Sequence, residues 1–127
     1  MNPFKSGEVF TLATEGTIVG KHMTDFQIVL CTCADREQAE RIADRLIEQH
    51  LAACVNILPG VQSIYRWQGA VESAAEVLIL IKTDAAHSNQ VQSTIASLHS
   101  YEVPEFLVLP VLGGSKAYLA WLGASLD

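Results

Sequence analysis

Positive charge is scarce in this chain of 127 residues, where eight Lys and Arg stand against fourteen Asp and Glu for a net charge of -6. That is the wrong sign for gripping a phosphate backbone, so no nucleic acid partner is expected. Long apolar runs are missing too. The longest, Val77–Ile81 and Phe106–Leu112 with Pro110 inside it, fall far short of the ~20 residues of a membrane helix, so the chain reads as soluble with no membrane partner. Three cysteines cannot close a disulfide set, and Cys31 and Cys33 share one strand-like run. Both are expected to be reduced thiols, with the protein in the cytoplasm. The motifs of several enzyme classes are absent: there is no Gly-x-Ser-x-Gly, no phosphate-cradling glycine loop and no His-Glu-x-x-His, and Cys31-x-Cys33 is not a redox Cys-x-x-Cys. The chain is therefore not read as an enzyme.

What is present is apolar substance. Half the residues are hydrophobic and only 17% are charged, enough for one core, too little length for two, and too apolar for disorder. Residues 1–24 stand apart, with no sustained period and balanced charges (Lys5 and Lys21 against Glu8 and Glu15). They form an N-terminal arm, either a genuine extension or the remnant of a fusion ahead of a start at Met23. Residues 25–127 form the domain.

From Phe26 the chain punctuates itself. Phe26–Cys33 is β-prone and almost wholly apolar, as in a strand buried inside a sheet. Asp35 with Gln38 makes a capping box for a helix to about His50, whose Ala39, Ile42, Ala43, Leu46 and Ile47 form the apolar stripe. Its charged face is read as solvated. Two strands follow, Ala53–Trp67 and Val71–Lys82, joined by a tight turn at Gly69 and bent at Pro59-Gly60. Asp84 is expected to cap a second helix with Val91, Ile95 and Leu98 on one stripe, ending near Ser100. Phe106–Leu112 reads as a fourth strand and Lys116–Leu126 as a short terminal helix. The order β-α-β-β-α-β predicts an α+β, ferredoxin-like sandwich: four antiparallel strands with two helices on one face. Its other face needs cover from the terminal helix or a neighbouring subunit, and the long hairpin points to pairing between chains.

Val29-Leu30-Cys31-Thr32, Leu51-Ala52-Ala53-Cys54-Val55-Asn56-Ile57, Ser63-Ile64-Tyr65, Trp67-Gln68-Gly69, Lys82-Thr83, His99-x-Tyr101-x-x-Pro104-Glu105 and Tyr118-Leu119-x-Trp121 resemble the CutA divalent-ion tolerance family in order and spacing. The resemblance spans Phe26 to the C-terminus. It implies a non-catalytic homotrimer associated with copper and other divalent metal ions. It also implies two ligands: Cys31, at the family's Leu-Cys-Thr position, and His99, at its His-x-Tyr position. A thiolate and an imidazole suit copper or zinc, and two such ligands favour Cu(I) over Mg(II) or Ca(II). Where metal-binding relatives can carry a second histidine, this chain has Leu98.

Other positions admit two readings. Cys31 is otherwise core, and His99 a satisfied helix-end histidine. Glu76 and Lys82 lie either in an inter-subunit cleft with Trp67 and Tyr101 or as paired edge charges. Glu105 is either a ligand or a loop acid. Cys33 and Cys54 read as small buried hydrophobes, His50 and His87 as solvent-side, and Trp67 and Trp121 as packing anchors. A rival function is a signalling or scaffold trimer like the PII proteins, with a small effector in the inter-subunit cleft.

Overall fold

The computed structural model describes residues 24–127, together with the backbone of two short antiparallel strands, β1 (Thr11–Leu12) and β2 (Ile18–Val19). The question of what the arm represents falls largely outside the described residues.

Strand β3 (Phe26–Cys33) is the spine of the larger sheet. On one side it pairs with β5 (Ala70–Asp84), from Phe26 opposite Asp84 to Cys33 opposite Val77. On the other it pairs with β6 (Leu107–Pro110). Strand β4 (Cys54–Trp67) completes the antiparallel sheet in the order β4-β5-β3-β6. Because side chains alternate along a strand, Val29, Cys31 and Cys33 point to one face and Phe26, Ile28 and Leu30 to the other.

Helix α1 (Arg36–Glu48) begins as its sequence predicts: the Asp35 carboxylate accepts the Gln38 N–H at 2.8 Å. The return bond from Gln38 reaches Ala34 N–H, one residue outside the usual box. The stripe Ala39, Ile42, Ala43 and Leu46 is buried, whereas Ile47 is half exposed and His50 turns outward with a φ of 57°. Helix α2 (Ser88–Leu98) buries Val91 and Ile95. Together α1 and α2 cover the face of Val29, Cys31, Ile79 and Ile81 and form the main core. Burying each such Ile or Val contributes about 1.5–3 kcal/mol, and cutting Ile42 to Ala would cost about 2–5 kcal/mol.

The opposite face has its own small core. Helix α3 (Lys116–Ser125), capped by Ser115, lays Leu119 and Leu122 on Phe26, with Leu126 beside them. Gly123 permits the contact, since a Cβ there would sit 3.3 Å from the Phe26 ring. The terminal helix thus covers one end of this face and leaves Leu58, Leu107 and Leu109 exposed.

Four expectations need correction. Asp84 does not cap α2: β5 runs on to Asp84, the cap position falls to His87, and the Asp84 carboxylate accepts the His87 N–H and its ring Nδ1 at 2.6 Å. His87 is therefore partly buried and partnered rather than solvent-side. The last strand is shorter than Phe106–Leu112, and Cys54 is only half-buried. The hairpin follows its predicted reversal, with Gln68 and Gly69 at φ of 50° and 80°, a two-residue turn of the kind that suits strand twist. At Pro59-Gly60 the strand continues through a one-residue bulge.

Candidate metal centre

Cys31 and Cys33 lie two residues apart on β3, so strand geometry puts both thiols on the helix-covered face. Neither exposes any surface. His99 caps the C-terminal end of α2, its N–H bonded to the Ile95 carbonyl, and this brings its ring over the end of β3. The ligand atoms of Cys31, Cys33 and His99 all lie within 4.8 Å of one another, with only His99 partly exposed. Three donors in a plane about one ion at about 2.3 Å stand about 4.0 Å from one another, so the widest pair needs to close by at most about 0.8 Å for all three to share an ion.

The state of the imidazole follows from its neighbours. Nε2 is 2.7 Å from the Thr32 carbonyl, which can only accept, and Nδ1 is 3.0 Å from the Tyr101 N–H, which can only donate. The ring is thus neutral with its proton on Nε2. A ligating histidine ordinarily holds its second N–H on a carbonyl in this way, leaving the lone pair of the other nitrogen for a metal. Here the free lone pair is on Nδ1 and accepts the Tyr101 N–H, so ligation through either ring nitrogen would give up one of these two bonds.

The two thiols act on each other. A hydrogen bond between them, then burial, then the negative charges of Cys33, Glu105 and Glu76 push the Cys31 thiol far up. The same hydrogen bond, against the cost of burial, pulls the Cys33 thiol down. The Cys31 S–H also has the Thr32 carbonyl as an acceptor, at 3.7 Å. Around the two sulfurs stands an acidic rim: Tyr101 OH donates to Glu76 at 2.8 Å, and burial, followed by Glu76, raises the Glu105 carboxyl. Glu105 Oε2 is buried and has no hydrogen-bond partner among the described residues.

Residues 27–125 match the family described as CutA1 divalent ion tolerance protein. This chain belongs to the CutA family. It is 46% identical over 104 residues to the divalent-cation tolerance protein CutA of Pectobacterium atrosepticum, covering 82% of this chain and 94% of that one. The crystal structure of CutA from Xylella fastidiosa is similar at TM-score 0.80 and 40% identity, over 82% of this chain and 100% of that one. The divalent cation tolerance protein of Thermus thermophilus is similar at TM-score 0.75 and 45% identity, over 76% of this chain and 94% of that one.

Among the residues singled out from sequence, the fold brings Cys31 and His99 together, and Tyr101 to Glu76. It does not gather the expected cleft within one chain. Lys82 lies six residues along β5 from Glu76, about 20 Å at strand rise, and its ammonium meets Tyr118 OH at 3.1 Å. Trp67 sits at the hairpin turn, 57% exposed. Leu98, where a second histidine can stand in relatives, packs against the main core. Cys33 is the member that sequence reasoning missed. The signal was available: a Cys-x-Cys inside a strand places both thiols on one face.

Proposed function

We propose that this CutA chain is a non-catalytic, metal-binding tolerance protein acting in the cytoplasm as a homotrimer, with Cys31 and His99 as ligands and copper, taken as Cu(I), as the preferred ion. The observation that supports the metal site is the convergence of soft donors from β3 and the end of α2 within 4.8 Å, beside the carboxylates of Glu76 and Glu105. Thiolate and imidazole favour copper, and Mg(II) or Ca(II) would want an oxygen cage. Both sulfurs are fully buried, which suits holding an ion rather than attacking a substrate.

Assembly has separate support. Residues 70–76 of β5 run past the end of β3 and, among the described residues, pair with β4 alone, and β6 is an exposed edge strand. Apolar Ile64, Trp67, Val71, Leu107 and Leu109 are exposed on these elements. Long free edges with apolar side chains suit strand pairing between copies. The rival reading, a trimer that binds an anionic effector, is less supported, since Lys82 is engaged by Tyr118 and Arg66 lies beside the hairpin turn.

The test is titration of the full chain with Cu(I) under nitrogen against a competing chelator. One copper per chain is expected, lost in Cys31→Ser. Unchanged affinity in that variant would place the site elsewhere.

A further inference from the structure

Cys33 has a place in the core that a small hydrophobe could fill, opposite Val77 and under α1. A core role alone does not account for its surroundings. Its sulfur stands within 4.8 Å of both the Cys31 sulfur and a His99 ligand atom. The carboxylate of Glu76 stands near both thiols, and that of Glu105 near Cys31. For an apolar residue those carboxylates would be irrelevant; for a pair of thiolates they are unfavourable until a cation arrives.

We infer that Cys33 supplies a second thiolate to the ion held at Cys31 and His99, making a two-sulfur, one-nitrogen centre for thiophilic ions such as Cu(I) or Hg(II). This deepens the metal-binding reading above and rests on it. Two sulfurs and one imidazole satisfy a three-coordinate soft ion, whereas tetrahedral Zn(II) would still want a fourth ligand. The step is an acid–base exchange: the thiols release their S–H protons to solvent, two S–Cu bonds form, and copper stays Cu(I), with no electron transferred.

The deciding experiment is X-ray absorption on the full chain loaded with Cu(I) under nitrogen, which counts sulfur neighbours without altering the protein. Two sulfurs and one nitrogen are expected. One sulfur would overturn the inference. In parallel, chelator competition on Cys33→Ala, with its fold checked by thermal melting, should show affinity reduced beyond the ~10- to 100-fold that loss of an outer-shell partner costs. Equal affinity in Cys33→Ala and the unsubstituted chain, with copper still bound, removes Cys33 alone. Failure of the unsubstituted chain to bind Cu(I) removes the whole metal-binding reading.

Discussion

The His99 ring donates from Nε2 to the Thr32 carbonyl at 2.7 Å, a bond between residues 67 apart in sequence that ties the end of α2 to β3 between the two cysteines. It fixes the imidazole beside the thiols before any ion arrives. In His99→Ala this bond and the one from the Tyr101 N–H are both lost. Unfolding stability should fall by about 1–2 kcal/mol, and Cu(I) affinity should weaken without vanishing, because the sulfurs remain. Denaturant titration and chelator competition on the same preparation check the two effects; copper affinity equal to the unsubstituted chain would remove His99 from the ligand set.

Tyr101 provides a reporter on the acidic rim. Burial, then its hydrogen bond to Glu76, pushes its phenol up to about 12 from the usual 10. The folded chain therefore keeps a proton that the unfolded chain loses, so this group's contribution to stability is full below pH ~10 and disappears as pH rises toward 12. Phenolate absorbance should show one tyrosine ionising last, absent in Tyr101→Phe. Stability of that variant should lack the corresponding decline; parallel declines in both proteins would contradict the assignment.

Leu109 bears on assembly. It lies on the edge strand β6 opposite Ile28, 45% exposed within one chain. Light scattering should give a trimer for the unsubstituted protein, persisting at low micromolar concentration. Leu109→Glu, which adds a charge at an apolar edge, should shift the population toward monomer. A monomer before substitution would remove the trimer proposal.

Asp35 tests the local reading of α1. Its carboxylate satisfies the Gln38 N–H at 2.8 Å at the helix start, and Asp35→Ala should cost about 1 kcal/mol. A melting midpoint unchanged by the substitution would mean that the helix end is held by tertiary packing alone.

Much of the fold was readable where local chemistry decides it. Asp35 and Gln38 marked the start of α1, Gly69 the hairpin turn, Pro59-Gly60 the irregularity in β4, and the apolar run from Phe26 the central strand. Asp84 misled because strand pairing with Phe26 outcompeted its capping propensity, carrying β5 two residues past Lys82. Within the candidate site, Cys31 and His99 were reachable only through family resemblance, since no periodicity relates positions so far apart. Cys33 was different. Alternation along β3 already placed it beside Cys31, and reading each thiol separately as a small hydrophobe concealed the pair. The separation of Lys82 from Glu76 was likewise implicit in their spacing along one strand.

The bulge at Pro59-Gly60 acts as a phase inverter. Before it, Val55 and Ile57 of β4 face the main core while Asn56 and Leu58 face away; after it, the extra residue reverses the parity, so that Val61, opposite Glu76, continues the outward set. The odd-numbered Tyr65 and Trp67 are thereby presented on the side that the body of the sheet leaves half-open, instead of over the helices. A pairing that took Pro59 and Gly60 into the ladder one by one, absorbing the bulge, would slip the rest of β4 by one residue against β5 and leave the composition of the hairpin untouched. It would nonetheless turn the whole aromatic tip to the other side of the ribbon, and any surface built to receive Trp67 would meet Arg66 and Ile64 in its place.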